Sequence, residues 1–196
     1  MARRKLRMHL YLPVGIVLCM AKGSKDRIVE AGLALAASGA PVTLESAARE
    51  AGLTKPGLMY HFPTKQALML GLVDHVIDHW QRRLQQEIGQ PPEAVTTAER
   101  IRAYLNCVLS DELDRTDVVM CTDVRYSELM TARWVERMQP WLGISENLDA
   151  AAQGNLLTAR LVADGVWYST AFCTFPLDTA ATESVRATAM ALLADT

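Results

Sequence analysis

Residues 53–68, which read LTKPGLMYHFPTKQAL, decide the fold of this chain. Thr54 and Thr64 each precede a helix-forming run, and threonine there acts as an N-cap because its hydroxyl accepts a hydrogen bond from a first-turn N–H. Pro56 suits the first turn of the first helix, where its missing N–H does no harm, and Pro63 ends that helix. The stretch therefore predicts a short helix that leads through a turn into a longer one.

Two more helices are predicted on the amino-terminal side of this stretch. Apolar residues recur with helical spacing over 25–38, and Ser24 is the predicted N-cap. Thr43 is expected to cap a second helix over 44–52. Ser46 stands where a capping box takes Glu or Gln, so we expect that box to be incomplete. Three short helices in this order predict a helix-turn-helix.

The remainder of the chain is also predicted to be helical. A long fourth helix begins after Thr64 and keeps an apolar stripe to about residue 87, and Gly89-Gln90-Pro91-Pro92 ends it. No segment alternates polar and apolar residues with a period of two. Later helices are expected over 97–113, 117–130, 132–141, 148–172 and 179–194. The chain is therefore predicted to be all-α, with a helix-turn-helix head over 22–70 and a helical body over 71–196.

Charge is distributed unevenly, although the net charge is only −2. Residues 22–65 carry six basic and four acidic side chains, whereas the 131 residues that follow carry ten basic and eighteen acidic ones. A basic head on an acidic body suits phosphate contacts at the head.

The first 21 residues are interpreted separately. Four basic residues precede an apolar run over 10–21, which is too short to span a bilayer but resembles the core of a signal peptide. Met20 begins a sequence, MAKGSKDRIVEAG, that reads as a natural amino terminus. We expect 1–21 to be a dispensable or mis-started extension of a cytoplasmic protein; a genuine signal or membrane anchor is the alternative.

The third helix has the residue types that a helix needs to bind the major groove of DNA. Leu58 and Phe62 are four residues apart and are predicted to face the core, which leaves the other face free. Lys55 supplies a cation, and Tyr60 and His61 can donate hydrogen bonds to phosphate oxygens. The alternative is that these aromatic residues are ordinary core residues.

Residues 25–72 resemble the amino-terminal domain of the TetR family of transcriptional regulators. The matching residues are Ile28, Ala31, Thr43, Ala48, Ala51, Gly52, Leu58, Tyr60, His61, Phe62, Lys65 and Leu68. The resemblance implies a homodimeric repressor that places the third helix of each subunit in the major groove of a palindromic operator. It also implies a helical carboxy-terminal domain that dimerises and binds a small-molecule inducer.

The resemblance and the helix starts together give nine candidates for contact with double-stranded DNA. They are Thr43, Thr54, Lys55, Pro56, Gly57, Met59, Tyr60, His61 and Lys65. Pro56 and Gly57 depart from the family pattern of Gly followed by a small or polar residue, and Met59 replaces a common aromatic. A thioether can touch a thymine methyl but donates no hydrogen bond to phosphate. The operator sequence therefore cannot be taken from relatives.

Aromatic residues, sulfur-containing residues and a carboxylate of the body are the candidates for an inducer site. They are Trp80, Tyr104, Cys107, Met120, Asp123, Tyr126, Met130, Trp134, Trp167 and Phe172. Rings and carboxylates together can bind a lipophilic cation, although any one ring is more commonly a core residue. Small and aliphatic residues of the last two helices, including Leu161, Gly165 and Ala189, suit either a four-helix dimer interface or an intramolecular core.

Other classes of function find less support in the sequence. No Ser/His/Asp arrangement, phosphate loop or dinucleotide fingerprint is apparent, so we expect no enzyme, no catalytic residue and no cofactor. His75 and His79 are four residues apart, but a solvated helix face is favoured over a metal site. The four cysteines are widely spaced, and reduced, mostly buried thiols are expected. The remaining alternative is a helix-turn-helix protein controlled by a protein partner or by cysteine oxidation.

Overall fold

The structure is a computed structural model that describes residues 23–110 and 123–194. Within these ranges the chain forms eight α-helices and one short 3-10 helix, with no strand, so the predicted all-α class is confirmed. The helices are α1 (Ser24–Ala37), α2 (Leu44–Glu50), α3 (Lys55–His61), α4 (Lys65–Ile88), α5 (Thr97–Val108), α6 (Val124–Leu142), α7 (Ala150–Ala171) and α8 (Thr179–Leu192), and the 3-10 helix is Pro92–Ala94. The extension proposed over 1–21 and the candidate Met120 lie outside the described residues.

Helices α1, α2 and α3 form the head and pack around a small apolar core. Ile28 of α1, Ala47 of α2 and Leu58 of α3 are all fully buried. Gly52 makes the turn between α2 and α3 with a φ of 66°, a conformation that a residue with a Cβ adopts only at a cost. The predicted helix-turn-helix is therefore present, and a glycine sits where its turn needs one.

Helix α4 connects the head to the rest of the molecule. Its buried side chains run from Leu68, beside the head, to Leu84 at a spacing of three and four residues. One hydrophobic cluster contains Ile28 of α1, this stripe of α4 and Ala163 of α7. Gly89 ends the helix in the left-handed conformation. The head and the body therefore share one continuous core.

Helices α5 to α8 form the body. α4 packs against α5 and α6, α5 packs against α7, and α7 packs against α8. Arg137 of α6 donates to two carboxylates of α4, with Nη1 3.1 Å from Asp74 Oδ1 and Nη2 2.6 Å from Asp78 Oδ1. Gln81 Nε2 of α4 also donates to the Arg137 carbonyl at 2.9 Å, so α6 is fixed to the middle of α4. None of the described helices has the length and apolar character needed to cross a bilayer.

The capping of α1 and α2 differs from the sequence-based expectations. Gly23, rather than Ser24, is the N-cap of α1, and no side chain caps that helix. The capping box of α2 is complete: the Thr43 hydroxyl accepts from the Ser46 N–H, and the Ser46 hydroxyl accepts from the Thr43 N–H, both at 2.9 Å. The prediction of an incomplete box was wrong because a serine hydroxyl reaches the N-cap nitrogen as well as a longer side chain would.

Helix α6 also differs from the prediction. Separate helices were expected over 117–130 and 132–141, whereas residues 124–142 form one helix. Met130 and Met138 are buried and Trp134 packs against the same cluster, so an apolar stripe with a spacing of four crosses the expected break. The prediction was wrong because Thr131 neither caps nor breaks a helix here.

Candidate DNA-binding surface and effector body

Helix α3 is fixed at its start by capping and along one face by burial. The Thr54 hydroxyl accepts a hydrogen bond from the Gly57 N–H at 3.2 Å, and Pro56 occupies the first turn. Leu58 and Phe62 are buried in the common core. The inward direction predicted for these two side chains is confirmed.

The opposite face of α3 is exposed. Tyr60 is 85% exposed and Met59 is 40% exposed, and Lys55 also lies on the surface. His61 is half-buried, with its ring centre 5.2 Å from that of Tyr60 in an edge-to-face arrangement. Ordinary core packing therefore does not account for Tyr60. Of the three residues Tyr60, His61 and Phe62, it is Phe62 that is buried in the core.

Phe62 packs on α4 at a position that the sequence reasoning missed. A Cβ atom on Gly71 would lie 2.5 Å from Phe62 Cε1, so the ring fills the space that a side chain at position 71 would need. Lys25 of α1 places its Nζ 5.9 Å from the centre of the same ring. The available signal was a lone glycine inside the apolar stripe of a helix, which indicates close packing.

Threonines cap all three helices that surround this surface. Thr43 begins α2, Thr54 begins α3 and Thr64 begins α4. Thr43 is half-buried and its hydroxyl is also hydrogen-bonded to the Ser46 hydroxyl at 3.1 Å, whereas Thr54 is exposed. A contact between Thr43 and DNA would therefore use its place at a helix start, where partial positive charge favours anions.

Lys55 forms an ion pair with Glu45 of α2. The hydrogen bond from Lys55 is the main reason that the pKa of the Glu45 carboxyl is lowered. The two side chains are 47% and 64% exposed, so water screens the pair and its net contribution to stability is small. Because the pair is exposed, Lys55 can exchange Glu45 for another anion at the surface.

Lys65 is more enclosed than Lys55. Its Nζ pairs with Oδ2 of Asp123, the N-cap of α6, and lies 5.4 Å from the centre of the Tyr126 ring. The Lys65 and Asp123 side chains are only 22% and 13% exposed. Arg125 donates to both Asp123 oxygens at 3.1 Å. The hydrogen bonds from Arg125 and Lys65 hold the pKa of the Asp123 carboxyl well below its usual range.

Sequence reasoning assigned Lys65 to DNA and Asp123 to the inducer, and the structure brings the two side chains together. A cavity of about 560 Å³ lies at this junction, lined by residues 39–43 between α1 and α2 and by Lys65, Asp123 and Arg125. Asp123 is therefore a residue of the boundary between head and body.

The aromatic candidates for the inducer site lie mainly in the core of the body. Seven of the ten candidates share the main hydrophobic cluster: Trp80, Tyr104, Cys107 and Met130 are buried, and Tyr126, Trp134 and Trp167 pack against them. The rings of Trp80 and Tyr104 meet edge to face, with their centres 5.5 Å apart. Phe172 is exposed at the end of α7, where its ring centre lies 4.7 Å from that of Tyr168.

Asp164 is a further carboxylate of this region that the sequence reasoning missed. The Tyr104 hydroxyl donates to Asp164 Oδ1 at 2.9 Å, and Arg160 Nε lies 3.9 Å from Oδ2. Partial burial raises the pKa of the Asp164 carboxyl. The available signal was its position as the one acidic residue of α7.

One face of α7 exposes an apolar stripe. Leu161, Gly165, Tyr168 and Phe172 follow one another at a spacing of four, three and four residues, and all are exposed. Ala189 of α8, by contrast, is buried in the core of its own subunit. The small and aliphatic residues of the last two helices therefore divide between an exposed face and the intramolecular core.

A helix-turn-helix head on an all-helical body defines the class of this protein, and comparisons with known proteins identify its family. Residues 98–194 match the family model described as tetracyclin repressor-like, C-terminal domain. The chain belongs to the TetR family of transcriptional regulators.

Two solved structures share the fold. A crystal structure described as a TetR-family transcriptional regulator from Rhodococcus sp. is 16% identical, with a TM-score of 0.64 over 87% of this chain and 96% of that one. The multidrug binding protein EbrR, complexed with imidazole, is 19% identical, with a TM-score of 0.51 over 87% of this chain and 95% of that one. No curated protein matches the sequence at a significant level.

Proposed function

We propose that this protein is a ligand-responsive transcriptional repressor that binds a palindromic operator as a homodimer. The observation that carries the proposal is the two-sided environment of α3. Leu58 and Phe62 fix the helix in the core, while Tyr60 and Met59 are exposed on the other side. A recognition helix needs this combination, because one face must be held rigidly while the other reaches the major groove.

The candidate DNA-binding residues of α3 divide into two roles in this proposal. Tyr60 and His61 donate hydrogen bonds to phosphate oxygens, which position the head without reading sequence. Lys55, Gly57 and Met59 face the base edges, where a cation can bind guanine and a thioether can contact a thymine methyl.

The exposed stripe of α7 is the proposed dimer contact. An apolar face with a helical spacing suits a two-fold interface in which the same surface is used by both subunits. Two heads held in this way would meet successive major grooves, about 34 Å apart along the duplex.

The inducer is proposed to be a small lipophilic molecule bound by the body. The aromatic cluster around Trp80 and Tyr104 supplies ring faces, and Asp164 supplies a carboxylate. The description of EbrR as a multidrug binding protein supports the same class of ligand. An inducer releases DNA only if it binds more tightly to the state whose heads do not fit the operator.

Selection of bound duplexes from a random library tests the operator. We expect an enriched inverted repeat whose half-sites are about one helical turn apart, bound at two subunits per duplex. Enrichment of no sequence, or binding as one subunit to an unrepeated site, would contradict the proposal.

A thermal-shift screen with lipophilic cations and matched neutral compounds tests the inducer. A compound that raises the melting temperature should also release the selected duplex. Release by a protein partner or by peroxide alone would favour the alternative. Among the described cysteines, Cys107 is buried and Cys173 is exposed, so Cys173 is the one of these two that oxidants can reach.

A further inference from the structure

Lys65 has two competing partners if the proposed function is correct. It is the first residue of α4, directly after the helix-turn-helix, where a lysine can reach a phosphate. In this structure its ammonium group is turned to Asp123 and the Tyr126 ring, and less than a quarter of the side chain is exposed. An operator phosphate would therefore compete with Asp123 for the charge of this ammonium group.

We propose that Asp123 is an intramolecular competitor of the DNA backbone for Lys65. Its carboxylate holds the cation in the free protein, and an operator phosphate has to displace it. This inference rests on the proposed function, because it presumes that α3 and the start of α4 meet DNA. The exchange lowers the affinity for every duplex, specific or not, because it concerns a phosphate contact.

The hydrogen bonds around Asp123 make the exchange feasible. Asp123 Oδ1 accepts from the Arg125 N–H at 3.2 Å and from Arg125 Nε at 3.1 Å, and Oδ2 accepts from Arg125 Nη2 at 3.1 Å. When Lys65 leaves, the carboxylate therefore keeps a cationic partner and its place as N-cap. A buried charge left without a partner would have made release far more costly.

The pair between Lys55 and Glu45 shows why this competition is specific to Lys65. Both members of that pair are largely in water, which already competes for them. Lys65 and Asp123 are shielded by the loop between α1 and α2 and by α6, so their attraction is screened less. Charge at position 123 should therefore matter more for DNA affinity than its distance from α3 suggests.

The test is Asp123→Asn, because asparagine caps a helix as well as aspartate does but carries no charge. Asp123→Ser is a second neutral variant that keeps an N-cap, should the first fold poorly. Asp149→Asn is the matched control: Asp149 caps α7 by accepting from the N–H groups of Ala151 and Ala152 at 3.0 Å. Fluorescence anisotropy would measure binding to a duplex selected by the wild-type protein and to a scrambled duplex of equal length.

We expect Asp123→Asn to bind both duplexes about twofold to fivefold more tightly, as for the loss of an ion pair. The plot of log affinity against log salt should steepen by up to about 0.9, since Lys65 then neutralises a phosphate without first leaving a carboxylate. In a Lys65→Ala background the same substitution should change neither quantity. Asp149→Asn should behave as wild type.

Unchanged binding by both neutral variants would overturn the inference. Weaker binding would overturn it as well, because Asp123 would then be holding Lys65 in place for DNA. An equal gain in the Lys65→Ala background would also overturn it, since the effect would be general electrostatics. If the wild-type protein binds no duplex at all, the proposed function fails and the inference fails with it. If wild type binds and Lys65→Ala weakens binding, but Asp123→Asn has no effect, the competition alone is refuted.

Discussion

Tyr60 lies in α3 and Phe62 is the C-cap of that helix, and the environments of these two aromatic residues are opposite. Phe62 fills the space beside Gly71, whereas the Tyr60 ring contacts the His61 ring and is otherwise largely in water. Burial of Phe62 is explained by packing alone. An exposed tyrosine contributes little to folding, so Tyr60 is free for the contact with DNA proposed above.

Tyr60→Phe separates phosphate contact from sequence reading. The change removes one hydroxyl, so we expect about fivefold weaker binding, equivalent to about 1 kcal/mol for a hydrogen bond. The loss should be equal for the selected and the scrambled duplex, with no change in melting temperature. Met59→Ala is the matched comparison and should change the preferred bases. Equal effects of both changes on both duplexes would contradict the division of roles.

Asp164 gives a prediction about pH. Its pKa is raised in the folded protein, so the folded state binds more protons than the unfolded state once pH exceeds the ordinary value near 4. The free energy of unfolding should therefore fall as pH rises from this value through the raised pKa. Asp164→Asn keeps an acceptor for the Tyr104 hydroxyl, and its free energy of unfolding should not fall over this pH range. Urea midpoints at several pH values would check it, and parallel curves for the two proteins would contradict it.

At the scale of helices, the packing of α3 against α4 depends on Gly71. Gly71→Ala should displace the Phe62 ring and destabilise the protein by about 1–3 kcal/mol, as overpacking does. Operator binding should weaken further than stability alone explains, because Phe62 is the C-cap of the recognition helix.

Gly154→Ala in α7 is the matched control for that change. Nothing lies within 4 Å of a Cβ at this position, so alanine should stabilise the helix by about 0.5–1 kcal/mol. Chemical denaturation of both variants measures the difference. A stabilised Gly71→Ala protein with normal DNA affinity would show that the contact is not essential.

Helix spacing and capping residues were sufficient to predict most of the elements. The starts of α3, α4 and α5 were predicted because Thr54, Thr64 and the apolar periodicity after 97 are local signals. The break expected in α6 was wrong because its apolar stripe continues past Thr131, from Met130 to Trp134 and Met138. Contacts between distant residues, such as Phe62 with Gly71 or Lys65 with Asp123, could not be predicted, since they depend on how helices pack and not on their spacing.

At the scale of the whole molecule, the dimer is the main prediction. Leu161 is the first residue of the apolar stripe of α7 and is 60% exposed. A carboxylate buried in the proposed interface would lack a partner in each subunit, so Leu161→Glu should give monomers that bind the palindromic duplex at least tenfold more weakly. Sedimentation would measure the mass.

Val135→Glu on α6 is the control, since Val135 is 54% exposed outside that stripe. It should remain dimeric and bind DNA as wild type. Monomers in the unsubstituted protein at micromolar concentration, or dissociation by Val135→Glu alone, would place the interface elsewhere.

The shared core of α4 also limits how this regulator can be recombined with its relatives. A chimera joined near residue 70 would cut α4 between Met69 and Leu72, two side chains of the same buried cluster. Phe62 and Lys65 would then come from one protein, and the positions of their partners Gly71 and Asp123 from another. Exchange of operator specificity by grafting should therefore succeed when only the exposed residues of α3 are transplanted, and a transferred head should need the facing residues of its own α4 and α6.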